Sequence, residues 1–178
     1  MSAAVQASPL NRLAANLEEL GLGGMASSVP EYVKLVADGE KDLVTALLEL
    51  TDAQVAGKRR ADDDRRMRMA NFPFIKTLAD FDWSFQPSVP RGLVEELATL
   101  QFVERGDNVV LVGSPGVGKT HIAIALGIEA VRAGREVRFI DCARLVDDLK
   151  DAQARGILKK RLKYYAHSKL LIIDELGY

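Results

Sequence analysis

Val109-Val-Leu-Val-Gly-Ser-Pro-Gly-Val-Gly-Lys119-Thr120 is the stretch on which the reading of this 178-residue chain turns. Four apolar residues lead into a glycine-rich turn of the pattern G-x-x-x-x-G-K-[ST], and the helix-compatible run Ile122 to Val131 follows. A strand that feeds a loop that opens a helix is the setting in which such a loop cradles phosphate. Polyphosphate is densely anionic, and inward-pointing amides can surround it only where side chains stay clear. Gly113, Gly116 and Gly118 supply that freedom, while Ser114, Pro115 and Val117 complete the loop. The helix that follows adds the partial positive charge of its N-terminus. Lys119 stands where it can reach the outer phosphates, and Thr120 offers a hard hydroxyl oxygen for Mg²⁺. The plainer alternative is a glycine turn beside an ordinary surface lysine.

Farther along, Leu170-Leu-Ile-Ile-Asp174-Glu175 supplies a second half. Four consecutive apolar residues suit a strand buried on both faces of a parallel sheet, with a carboxylate at the C-terminal edge, where open α/β sheets bind ligands. Asp174 is the candidate second Mg²⁺ ligand. Glu175 is of the type that polarises an attacking water. Otherwise the two acids only solubilise a strand end.

Working outward, Val137 to Ile140 reads as another strand after Gly134 ends the loop's helix. The N-terminal part reads as helices: Leu10, Leu13, Leu17 and Leu20 recur at helical spacing and stop at Gly21. Leu43, Val44, Leu47 and Leu48 form a further stripe, expected to lie in a core, and Thr51-x-x-Gln54 has the form of a capping box opening a helix toward Met69. Pro73, Pro87, Pro90 and the aromatics Phe72, Phe74, Phe81, Trp83 and Phe85 mark residues 71–90 as an ordered connector. A helix is expected from Arg91 to Glu104, with a turn at Gly106-Asp107 before the strand 109–112. These divisions predict a helical domain over 1–70, a connector and helix over 71–107, and the phosphate-loop domain over 108–178. The fold class is α/β, an incomplete parallel sheet flanked by helices, preceded by a small all-α domain.

Composition sets outer bounds. The chain is 48% hydrophobic and 28% charged, ordinary for a globular protein, and its one cysteine, Cys142, leaves no internal disulfide. No long apolar run marks a membrane span, so a cytoplasmic location is expected. The net charge of −1 gives no whole-chain argument for nucleic acid. The charge is uneven, however: residues 1–107 hold 12 basic and 17 acidic side chains, residues 108–178 hold 12 and 8. Arg155, Lys159, Lys160, Arg161, Lys163 and Lys169 run without an intervening acid. That run reads either as a phosphate-binding surface or as a solvated helix face whose Ile157, Leu158 and Leu162 pack inward. Lys58-Arg-Arg60 and Arg65-Arg66-x-Arg68 are interrupted by Asp62 to Asp64 and read as a solvated face.

Several strings together resemble the IstB-like ATPases, transposition helpers encoded beside a transposase in certain insertion sequences and related to the DnaC helicase loaders of the AAA+ class. They are Glu19-Leu-Gly-Leu22 with Gly24-Met25, Phe72-Pro73 with Lys76-Thr-Leu78, and Asp80-Phe-Asp-Trp-Ser-Phe-Gln-Pro87. Val94-Glu-Glu-Leu-Ala-Thr-Leu100, Phe102-Val-Glu-Arg-Gly106, the phosphate loop with His121, Ala125-Leu-Gly-Ile-Glu-Ala130 and Asp174-Glu-Leu-Gly-Tyr178 continue the match. The resemblance implies an AAA+ P-loop ATPase that binds ATP with Mg²⁺ and assembles on DNA as a homo-oligomer. Its partner would be a transposase or, in the helicase-loader alternative, a replicative helicase. Residues 113–121 would contact nucleotide, Thr120 and Asp174 would hold Mg²⁺, and Lys119 and Glu175 would act in hydrolysis. Lys159, Lys160, Arg161 and Lys163 are the candidate DNA contacts, in a region where initiator-type ATPases insert a DNA-facing helix.

Two departures carry expectations. Pro30 interrupts a segment that is continuous helix in such proteins. The chain stops three residues after Glu175, so the resemblance places the sensor strand, arginine finger and helical lid outside it. The third reading is therefore a non-catalytic remnant, with the strand 109–112 left without its neighbour and no ATPase activity from this polypeptide alone.

Overall fold

The computed structural model describes residues 8–176, so Gly177 and Tyr178 of the last matched string lie outside the described residues. The chain forms two compact units, one up to Asp62 and one from Asp63 onward.

The first unit is helical throughout its ordered elements. α1 (Pro9–Glu19) starts at Ser8, whose hydroxyl accepts from the Asn11 amide at 3.2 Å, with Pro9 in the first turn where its missing N–H is harmless. Gly21, at φ 72°, turns the chain into α2 (Gly23–Ala37). That helix runs through Pro30, which removes one backbone donor without ending it. Leu17, Ala26, Val29 and Leu50 form the core, with Leu10 and Tyr32 packed on it. Of the first leucine stripe only Leu17 is buried; Leu13 and Leu20 face solvent.

α3 (Leu43–Ala70) corrects two expectations. It opens at Asp42, whose carboxylate accepts from the Val44 and Thr45 amides at 3.0 Å each, so Thr51 lies inside a continuous helix and caps nothing. The Thr51 hydroxyl donates back to the Leu47 and Leu48 carbonyls, and Gln54 caps α2 instead, accepting from the Met25 amide at 3.2 Å. The stripe Leu43, Val44, Leu47 and Leu48 is exposed, not core. Ala46 and Leu50, on the adjoining face of the same helix, are the buried residues. A helical apolar period locates a face, but the neighbours decide which side of that face is covered.

The second unit is built round a two-stranded parallel sheet. β1 (Val137–Asp141) and β2 (Leu170–Asp174) pair in register from Val137 opposite Leu170 to Asp141 opposite Asp174. α4 (Arg91–Ala98) and α5 (Gln101–Arg105) precede the phosphate loop, and α6 (Lys119–Arg132) follows it. α7 (Cys142–Ala154) and α8 (Leu158–Ala166) connect the strands. α6 is the most buried element: Ile124, Ala125, Ala130 and Val131 are fully covered. Phe72 and Ile172 close so tightly on Gly127 that a Cβ there would sit 2.8 Å from each side chain. A second cluster gathers Phe81, Val94, Ile122 and Leu126.

Two further expectations give way. The helix from Arg91 is broken at Leu100, which adopts φ 62° and separates α4 from α5; Leu100 is itself buried, and burying its side chain in the core offsets the strained backbone. Val109 to Val112 forms no strand. Neither β1 nor β2 pairs with it, and Val112 is 88% exposed. A run of valines and leucine favours extended backbone, but a strand exists only where a second backbone accepts and donates its hydrogen bonds.

Candidate functional site

The loop closes as its glycines predict. Gly116 and Gly118 take φ 81° and 87°, the left-handed region in which a side chain would be strained, and Gly118 is the N-cap of α6. No atom lies within 4 Å of a Cβ built on Gly116, so the loop there borders open space. Gly118 is different: a Cβ would meet the Phe81 ring at 2.6 Å. The connector therefore braces the start of α6. Phe81 packs edge-on to His121 and beside Trp83, and the His121 ring nitrogen Nε2 is 2.9 Å from the Thr77 carbonyl. Thr77 itself opens a single 3₁₀ turn, Leu78–Asp80, through a reciprocal bond with Asp80. His121, expected among the nucleotide contacts, thus turns its ring to the connector. The aromatic composition of residues 71–90 was the signal for order there, but it named no contact to the loop.

Lys119 folds its ammonium back on the loop, donating to the Gly113 carbonyl at 2.8 Å and the Ser114 carbonyl at 2.9 Å. Thr120 Oγ1 donates to Asp174 Oδ2 at 2.8 Å across 54 residues of chain. The two strings singled out from the sequence therefore meet: α6 holds the threonine and the end of β2 holds the aspartate. Their oxygens are hard donors suited to Mg²⁺. Among the described residues no cluster of three or more His, Cys, Asp or Glu could hold a metal. A cation at this pair would take its other positions from phosphate and water, as Mg²⁺ usually does.

Glu175 sits just past β2 at φ 56° and is exposed. Its carboxyl, when protonated, donates to the carboxylate of Asp141, which lies opposite Asp174 in the sheet register. That bond, then the negative charge of Asp141, pushes the Glu175 carboxyl above its ordinary value. Asp141 is held below the ordinary carboxylate value, first by the Arg144 amide it caps at the start of α7 and then by Glu175. Asp141 was missed because strand register, not a motif, brings it to the site.

The basic run divides in two. Lys159, Lys160 and Lys163 on α8 are exposed, with no acid partner among the described residues. Arg161 is paired with Asp148 of α7, and Tyr165 donates to the same carboxylate at 2.7 Å. The Asp148 carboxyl lies below its ordinary value, chiefly through Arg161. An acid absent from the run in sequence is supplied by the neighbouring helix. Tyr165 is the buried residue of α8, while Ile157 and Leu162 remain exposed.

A glycine loop that closes at the head of a buried helix, joined through Thr120 to a strand-end aspartate, defines a P-loop nucleotide-binding domain. The family model for IstB-like ATP binding proteins matches residues 15–178, and the chain belongs to that family. It is 37% identical over 169 residues to a Pseudomonas aeruginosa protein named for ATP binding in insertion sequence IS21; the match covers 95% of this chain and 64% of that protein. A counterpart from IS232 of Bacillus thuringiensis subsp. berliner is 36% identical over 94% of this chain and 67% of its own length. A third, from IS5376 of Geobacillus stearothermophilus, is 38% identical over 74% of this chain and 53% of its own. The chain thus spans between about half and two thirds of the length of these relatives.

Proposed function

We propose that this chain is the nucleotide-binding part of an ATP-dependent, DNA-associated helper of an insertion sequence. The observation that carries the reading is the Thr120–Asp174 hydrogen bond, which joins the phosphate loop to the strand-end acid. The names of the relatives favour a transposase over a replicative helicase as the protein partner. Lys119 would leave the Gly113 and Ser114 carbonyls for the β- and γ-phosphates of ATP, and the loop amides and the α6 N-terminus would hold the remaining charge. Residues 113–118 would line the polyphosphate, with His121 behind them. Thr120 and Asp174 would hold Mg²⁺, which supplies charge neutralisation to the phosphates. Glu175 would act as general base once released from Asp141. Lys159, Lys160 and Lys163 would contact DNA phosphates, with Arg161 contributing if it leaves Asp148. Residues 1–70 would act as a helical domain and 71–107 as the connector in a homo-oligomer working in the cytoplasm.

Titration with a fluorescent ATP analogue and Mg²⁺ tests the core of this. Lys119→Ala is expected to abolish binding, and Glu175→Gln to retain it. Unchanged affinity in Lys119→Ala would remove the phosphate-loop assignment.

A further inference from the structure

Among the described residues β1 is paired on one edge only. The Leu170 amide donates to the Glu136 carbonyl at 3.2 Å. By the alternation of a parallel ladder, Glu136, Arg138 and Ile140 then direct their backbone groups toward β2, and Phe139 directs its N–H and C=O away. Among the described residues no backbone hydrogen bond reaches that outer edge. An open groove of about 340 Å³ meets β1 at Arg138, Phe139 and Ile140, and Arg68, Arg161 and Tyr164 also line it.

Successive strand side chains confirm the direction of the groove. Phe139 packs on Phe72, whose ring lies against Gly127 of α6, so it faces the α6 layer. Arg138 stacks on Tyr164 of α8, its guanidinium 3.7 Å from the ring centre, and so faces the other layer. The groove touches Arg138, Phe139 and Ile140 together, which only a groove along the strand edge can do. Charge along it is one-sided. Arg68 and Arg138 have no acid partner among the described residues, and Asp148 is occupied by Arg161 and Tyr165.

We propose that the free edge of β1 takes an extended acidic peptide segment of a partner protein, added as a third strand. Its backbone would pair with the Phe139 N–H and C=O. Alternate side chains would meet the Arg138 guanidinium on the α8 face and the Phe139–Phe72 surface on the other, with Arg68 adding unpaired positive charge at the rim, so the matching segment alternates acidic and apolar residues. Nucleic acid fits less well: it carries no amide ladder, and Tyr164, against which a base would stack, already carries the guanidinium groups of Arg138 and Arg161, the latter 4.6 Å from its centre. The proposal is independent of the nucleotide site.

The test uses the full chain and a short, capped, fluorescein-labelled peptide of alternating Glu and Val, followed by anisotropy. Parallel arms use the same peptide with Lys for Glu and a labelled oligo-dT. The Glu-Val peptide is expected to bind and the Lys-Val peptide not to. Arg138→Glu and Arg68→Glu should each weaken binding about tenfold, Lys150→Glu on the exposed surface of α7 should leave it unchanged, and amide exchange at Phe139 should slow in the complex. Circular dichroism checks that Arg138→Glu folds; if it does not, Arg68→Glu at the exposed rim decides. Absence of binding, affinity indifferent to both arginine variants, or an unprotected Phe139 amide overturns the proposal. So does oligo-dT binding that depends on Arg138 while the peptide fails to bind.

Discussion

Leu170 to Ile173 and Val109 to Val112 are nearly interchangeable on paper: each is four aliphatic residues leading toward one of the two strings of the candidate phosphate site. In the folded chain they differ completely. Leu170 to Ile173 lies in the parallel ladder with β1 and packs on α6 through Ile172. Val109 to Val112 pairs with nothing among the described residues, and Val110 is 74% exposed. Hydrophobicity alone therefore does not make a strand. An aliphatic run gains from burial only when its own amides and carbonyls are also paired, because an unpaired buried amide offsets much of what the side chains gain.

The largest effect that sharpens this contrast is expected in α6, the helix on which the paired run packs. Ile128 of α6 is 1% exposed. Ile128→Ala should lower unfolding stability by about 2–5 kcal/mol in urea titration, because the fixed layers round it cannot collapse into the space. A loss well under 1 kcal/mol would mean that α6 is not held as tightly as the contacts indicate. An intermediate effect is expected where the unpaired run reaches α6. Gly118→Ala forces a side chain into the left-handed region and against Phe81, and should cost about 1–2 kcal/mol in the same assay. If Gly118→Ala is neutral, the connector does not brace the loop. The smallest effect belongs to the exposed run itself: Val112→Ser should change stability by no more than about 0.5 kcal/mol. A loss above about 1 kcal/mol would break the comparison, since it would show that residues 109–112 are paired in solution.

The loop was legible because its chemistry is local: glycines at positive φ, a helix opening at Lys119 and a threonine beside it follow from residue type and spacing. The α3 stripe is not legible in the sequence for the opposite reason. Leu43, Val44, Leu47 and Leu48 satisfy the helical period as well as Ala46 and Leu50 do, and the choice between adjoining faces rests on the Leu17–Val29 cluster, to which Leu50 belongs. Arg161 was grouped with Lys159, Lys160 and Lys163 because no acid interrupts the run, while its partner Asp148 comes from another helix.

The amino-acid sequence by itself determined the phosphate loop, the helix it opens, the two strands at 137 and 170 and the family to which the chain belongs. Each depends on short-range constraints, namely backbone conformation, periodicity and the chemistry of neighbouring residues. Only the tertiary structure decided that Thr120 meets Asp174, that Glu175 turns to Asp141, that Leu100 breaks a helix and that Val109 to Val112 stays unpaired. Those outcomes depend on which backbone or side chain arrives from far along the chain to complete a hydrogen bond or fill a space, and no local pattern encodes that partner.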